Sequence, residues 1–309
     1  GGGGQDNAFT MAEILLSLTI IGVVAAITLP SLTGNINERT WNTQRKALYA
    51  RFSQALALMP ALNGYGTFSA EQTDSSGSIT QSAVDTTTET FITDGLAKVM
   101  KINNICDNEH LEDCGIPSTI SPGNGASAVN ISDITSLRGF NSLFAASAAK
   151  VPLDTKAAAF ETQNGESIIV YYNPNCTPDM SGNSGNYYPH AEMCANFVYD
   201  LNGSKGPNTV GKDIGFITAF YPTDPIIVSP MPLATDATWA SQIDASKSCQ
   251  KQDSESRLPN LNELASMMYN KKLIGITTGD YWSSSSASAS QGWIQNFSLG
   301  NRYLPPRGN

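Results

Sequence analysis

Residues Phe9 to Leu32 read FTMAEILLSLTIIGVVAAITLPSL, and Glu13 is the only charge among them. As a helix rising about 1.5 Å per residue, this stretch would extend roughly 36 Å, enough for the ~30 Å hydrocarbon core of a bilayer. The run is longer than the apolar core of a secretory signal, and it leads into more helix-like sequence rather than a small-residue cleavage site. A plain membrane anchor accounts for the length but not for three residues inside it. A carboxylate costs on the order of 2–3 kcal/mol at the bilayer centre and less near an end. Glu13, close behind Phe9, therefore needs a positive partner or must snorkel to the headgroups. Gly22 weakens a helix by about 1 kcal/mol relative to Ala. Pro30 removes a backbone hydrogen bond and clashes with the preceding turn, at ~3 kcal/mol. The helix is softest between these two.

Further along, residues 35–60 turn amphipathic. Trp41, Leu48, Phe52, Ala55 and Met59 are spaced by 7, 4, 3 and 4 residues, which is one helical face. Arg39, Arg45, Lys46 and Arg51 are expected largely off that face. Pro60 and the cluster Asn63-Gly64-Tyr65-Gly66 end the helix.

Phe9-Thr10-Met11-Ala12-Glu13, followed by an apolar stretch with Gly22 and Pro30, resembles the N-terminus of type IV pilins and type II secretion pseudopilins. The resemblance covers about 50 residues. It implies that a prepilin peptidase cuts before Phe9 and that the new amine is methylated. It implies that Glu13 neutralises a neighbouring subunit's N-terminus during assembly, and that the helix melts between Gly22 and Pro30 in the filament. The implied partners are identical subunits, the peptidase and pilus assembly machinery, and the inner membrane before assembly. The implied destination is an extracellular filament. Ala8 stands where the family usually has Gly, so residues 1–8 (GGGGQDNA) are read as a leader remnant or an N-terminal extension.

The middle of the chain reads as a polar loop over 67–90, then an apolar helical face through Ile92, Leu96 and Val99 within Phe91–Ile102. A Gly/Ser/Asn-rich stretch covers 115–135. Four β-like runs follow: Ala158–Thr162, Ser167–Tyr172, Ala195–Asp200 and Gly215–Tyr221, each bounded by Gly, Pro or Asn. Asn164-Gly165 is a hairpin signal. The fold class expected is α+β: a long N-terminal helix packed on an antiparallel sheet, with a C-terminal lectin-like α+β module. The segment from Asp200-Leu201-Asn202-Gly203 to Gly211-Lys212-Asp213 resembles one common in pilin-like proteins of this type. Asp200 and Asn202 offer clustered oxygens that suit a structural Ca²⁺. An Asx-turn reversing the chain is the structural alternative.

Composition narrows the function. Only 15% of the 309 residues are charged, against about 25% typically. With 18 basic residues and a net charge of −9, the chain lacks the basic footprint of a nucleic-acid binder, and no specific nucleic acid is expected. Two histidines and five cysteines do not make a paired zinc framework. Neither His110 nor His190 sits in a nucleophile or ligand motif, so no enzyme activity is expected. Low charge with abundant small polar residues suits export. In that setting Cys106 with Cys114, and Cys176 with Cys194, are candidate loop-closing disulfides, leaving Cys249; other pairings remain open.

From about residue 230 the texture changes. Asn260 can cap a helix with Glu263 as its third residue, ahead of an apolar face of Leu261, Leu264, Met267 and Met268. Arg257-Leu258-Pro259, then Tyr281-Trp282-Ser283-Ser284, then Trp293-Ile294-Gln295-Asn296-Phe297 and Gly300 together resemble the C-terminal domain of Legionella collagen-like adhesin-type proteins. That group is similar in pattern to the C-type-lectin-like and formylglycine-generating-enzyme superfamily. The resemblance implies a binding surface for a glycan or surface ligand. Tyr281, Trp282 and Trp293 are its candidate platform, with core packing as the alternative. Ser283 to Ser290 reads as a surface loop. The domain plan is therefore 1–8, the helix 9–60 (9–32 apolar, 35–60 amphipathic), a head over 61–229 and a C-terminal module over 230–309. The expected function is a structural subunit of a type IV pilus-like filament. The alternatives are a minor pilin or pseudopilin of a type II secretion system, or a membrane-anchored binding protein.

Overall fold

A computed structural model of the protein describes residues 19, 39–59, 85–145, 154–174, 176, 193–220, 226–228, 257–276, 278–288 and 291–304. The assembly residues Phe9, Glu13, Gly22 and Pro30, together with His190 and Cys249, lie outside them. Among the described residues no helix is long and apolar enough to cross a membrane. The chain divides into two compact units, Gly1–Lys46 and Ala47–Asn309.

The architecture is α+β. Strands β1 (Ile102–Cys106), β4 (Ala158–Thr162), β5 (Ser167–Tyr172), β6 (Met193–Asp200), β7 (Ile214–Phe220) and β8 (Ile226–Val228) form one sheet. Its order is β1-β4-β5-β6-β7-β8 and every pair is antiparallel. The four runs read from sequence are β4 to β7; β4 and β5 keep the expected bounds, and β6 and β7 have ends shifted by one or two residues. The Asn164-Gly165 turn joins β4 to β5, with Gly165 at φ 84°, the left-handed region that favours glycine. A short ribbon of β2 (Thr119–Ile120) and β3 (Val129–Asn130) lies within the Gly/Ser/Asn-rich stretch. A second, three-stranded antiparallel sheet holds β9 (Asp280–Ser286), β10 (Gly292–Asn296) and β11 (Arg302–Tyr303).

Helix α1 covers residues 39–59. Leu48, Phe52, Ala55 and Met59 are buried, as their spacing requires. Burying Leu, Phe or Met side chains is worth about 1.5–3 kcal/mol each, so this stripe is what seats the helix. Phe52 packs its ring at 4.8 Å from Phe197 and 6.3 Å from Phe160. Arg51 adds an ion pair to the buried Glu166, which also accepts the Thr162 hydroxyl. One expectation needs correcting. Arg45 is 9% exposed, not off the buried stripe. It falls four residues after Trp41 and three before Leu48, so the helical repeat puts it on the same face.

Strands β6 and β7 are buried along their whole length. Side chains alternate between the two faces of a strand. Phe197 therefore points to α1, while its neighbours Asn196 and Val198 point the other way. That second face is covered by α2 (Leu261–Tyr269). The apolar side chains Leu264, Ala265, Met267, Met268 and Tyr269 share one core with Ile169, Tyr171, Val198 and Phe216 of the sheet. The core thus runs through both expected pieces, 61–229 and 230–309. The segment read as one helical face from Phe91 breaks up sooner. Thr87–Thr90 is α-helical, Phe91–Gly95 a π-turn and Leu96–Lys98 a 3₁₀ turn. Ile102 already begins β1.

Candidate functional site

Strand β6 ends on Asp200, and the chain reaches β7 through Leu201 to Asp213. In this turn several polar side chains converge out of water. Asp200 is 2% exposed and Asp213 fully buried. The two carboxylates are used differently. Both oxygens of Asp213 are engaged: its Oδ1 and Oδ2 accept the Thr209 and Asn208 N–H groups, each at 2.9 Å. Asp200 Oδ1 accepts the Asn202 N–H at 3.1 Å, which is the Asx-turn geometry. The Asn202 Nδ2 donates to the Gly206 carbonyl at 2.9 Å, and Gly206 N–H donates to Asn208 Oδ1 at 2.9 Å. Two oxygens are left over: Asp200 Oδ2 and Asn202 Oδ1 are buried without a hydrogen-bond partner. Burial above all, helped by the negative charge of Asp213, pushes the Asp200 carboxyl up to about 7; the Asn202 and Gly203 N–H groups partly offset this.

The turn is clamped from outside. Gly203 and Gly115 both adopt left-handed backbone, at φ 64° and 75°. A Cβ on Gly115 would come within 2.6 Å of Ser167 Oγ and 3.9 Å of Gly203 Cα. No larger residue fits where the two chains meet. Gly115 follows the disulfide Cys106–Cys114, so the stapled loop buttresses the β6–β7 turn. The second disulfide joins Cys176 to Cys194. Both pairs are those read from the sequence. His110 is exposed, and its ring Nδ1 meets Asp107 Oδ1 at 2.8 Å, a local loop contact.

The three aromatics of the expected platform do not share one face. Trp282 is 8% exposed and packs with Leu258 and Ile294, against Tyr303. Tyr281 leans on Phe297 and its hydroxyl donates to the Thr278 carbonyl. Trp293 is half-buried. Tyr281 and Trp282 are consecutive on β9, so they face opposite sides of the sheet and cannot stack on one ligand. Ser283 is also fully buried, because β9 continues to Ser286 and pairs with Gly292 of β10; the surface-loop reading fails there.

Sequence reasoning passed over the residues that complete the turn, Asn208, Asp213 and Gly115. Asp213 stood in the quoted segment, but only folding brings it beside Asp200. Among the described residues no three His, Cys, Asp or Glu side chains are grouped to hold a metal ion. No protein-family model, no curated protein and no solved structure matches the chain.

Proposed function

We propose that this chain is a structural subunit of a type IV pilus-like filament, polymerising through the helix that begins at Phe9. The observation that carries the reading is the seating of α1 on an antiparallel meander by Leu48, Phe52, Ala55 and Met59. This helix follows an apolar stretch that contains one carboxylate, Glu13. In this reading residues 39–59 belong to the folded unit, and the apolar stretch before them packs with copies of itself. In lipid, apolar contact between helices gains little over contact with acyl chains. Register in the filament must then come from helix packing and from pairing Glu13 with a neighbour's terminal amine. The two disulfides fit an oxidising, extracellular setting. The C-terminal residues serve the same unit by closing the second face of the sheet with α2.

The test is Glu13→Ala in the native host. Loss of filaments in electron micrographs, with the protein retained in the membrane, is the expected result. Undiminished filaments would overturn the reading. Mass spectrometry of filament protein should find N-methylated Phe9 at the terminus. Abundance then separates a major subunit, which forms the dominant band of purified filaments, from a minor pilin or pseudopilin.

A further inference from the structure

Where glycine follows asparagine, the backbone nitrogen can reach the preceding side chain, because glycine has no Cβ to obstruct the approach. The described residues contain three such pairs, Asn124-Gly125, Asn164-Gly165 and Asn202-Gly203. As dipeptides they are equivalent. The fold makes them unequal.

Asn202 is locked in place. Its Nδ2 donates to the Gly206 carbonyl at 2.9 Å, its Oδ1 is buried, and Gly203 is buried close to Ser167 and Gly115. Asn124 lies at the surface, but both ends of its amide are held. Its Nδ2 donates to the Ile274 carbonyl at 2.9 Å and its Oδ1 accepts the Ala126 N–H at 3.1 Å. Asn164 differs from both. It is exposed at the tip of the β4–β5 hairpin, and its side-chain amide makes no hydrogen bond among the described residues. Space around Gly165 is open: a Cβ placed there would meet nothing within 4 Å. The Gly165 N–H donates to the Thr162 carbonyl at 3.0 Å, and this bond must open before the nitrogen can react. A single hydrogen bond at an exposed loop tip opens by local fluctuation, without unfolding the strands.

We propose that Asn164 is a site of spontaneous deamidation, with water as the co-reactant. The Gly165 nitrogen gives its proton to a solvent base and bonds to Asn164 Cγ. The Cγ–Nδ2 bond breaks, and Nδ2 takes up a proton and leaves as ammonia. Water then opens the resulting succinimide at either carbonyl, leaving aspartate or isoaspartate. Overall, water is consumed, ammonia is released, and nothing is oxidised or reduced. The product adds a carboxylate two residues before Glu166, the buried partner of Arg51 on α1. Isoaspartate also moves a methylene from the side chain into the main chain, inside the turn that joins two interior strands of the sheet.

The experiment holds the whole chain, folded in detergent, in mildly alkaline buffer for several days. A parallel sample is held in urea. Both are digested in acid, where the reaction is slow, and the three Asn-Gly peptides are followed by mass spectrometry for the conversion of amide to acid. In the folded chain the Asn164 peptide should convert at least about fivefold faster than the Asn124 and Asn202 peptides, because only its pair is free to react without wider opening. In urea the three rates should draw together. A smaller ratio in the folded chain overturns the proposal. So does a ratio that persists unchanged in urea, since it would place the cause in the flanking sequence rather than in the fold.

Discussion

Asp200 sets the electrostatics of the described unit at the residue scale. Its carboxyl is raised to about 7 in the fold, against ~3.9 in an unfolded chain. A folded value above the unfolded one means that the folded state holds the proton more tightly. The stability this contributes is complete below the unfolded value and is lost as pH rises through the folded one. Unfolding free energy should therefore fall between about pH 4 and pH 7, with a slope approaching ~1.4 kcal/mol per unit from this one group. Asp200→Asn should flatten that limb in urea titrations. Glu263 works in the opposite sense and in a lower window. Arg257 depresses its carboxyl through a two-pronged ion pair, at 2.8 and 2.6 Å. Its contribution is present above the unfolded value and is lost as pH falls through the lower, folded one. The residue types at both sites were legible in the sequence. That Asp200 is buried beside Asp213 was not, because the two meet only across a turn.

At the scale of elements, α2 is the best example of local sequence carrying its own instructions. Asn260 Oδ1 accepts the Glu263 N–H at 2.9 Å, and Glu263 Oε2 accepts the Asn260 N–H at 2.7 Å. This reciprocal cap was readable because its residues are neighbours in the chain. Asn260→Ala should cost about 1 kcal/mol, read as a lower denaturation midpoint at unchanged slope. Asn260→Asp should restore most of it. Strands β4 to β7 were readable for a similar reason: apolar β-branched runs sit between turn residues. Strand β1, INNIC, was not. It is an edge strand with two exposed asparagines, and its register slips between Ile102 and Asn104, so neither alternation nor apolar content marks it. The four serines after Trp282 misled for the converse reason. Their composition reads as loop, yet backbone pairing with β10 makes them strand.

At the scale of the whole molecule, α2 is tied to the six-stranded sheet by polar as well as apolar contacts. The Asn196 Nδ2 donates to Asn270 Oδ1 at 3.0 Å, Thr218 donates to Asn196 Oδ1 at 2.7 Å, and Thr218 also meets Ser266. Asn141 reaches the Met268 and Tyr269 carbonyls from the other side. A buried network of this kind is costly when broken, since each lost partner leaves another group unpaired. Asn270→Ala should therefore destabilise by about 2–3 kcal/mol. It should shift fluorescence from the tryptophans and circular dichroism from the sheet together, as one transition. Two separate transitions would instead mark an independent C-terminal domain. The chain by itself determined what depends on near neighbours. The apolar stretch with its lone carboxylate, the stripe on α1, the four central strands, the cap of α2 and the pairing of nearby cysteines all rest on periodicity or short spacing. Tertiary structure alone decided what depends on distant neighbours. It joined the C-terminal helix to the sheet's second face, drew Trp282 into a core, and left two oxygens of the β6–β7 turn buried with nothing to bond. Burial is a property of the assembled layers, and no window of sequence contains both sides of a layer.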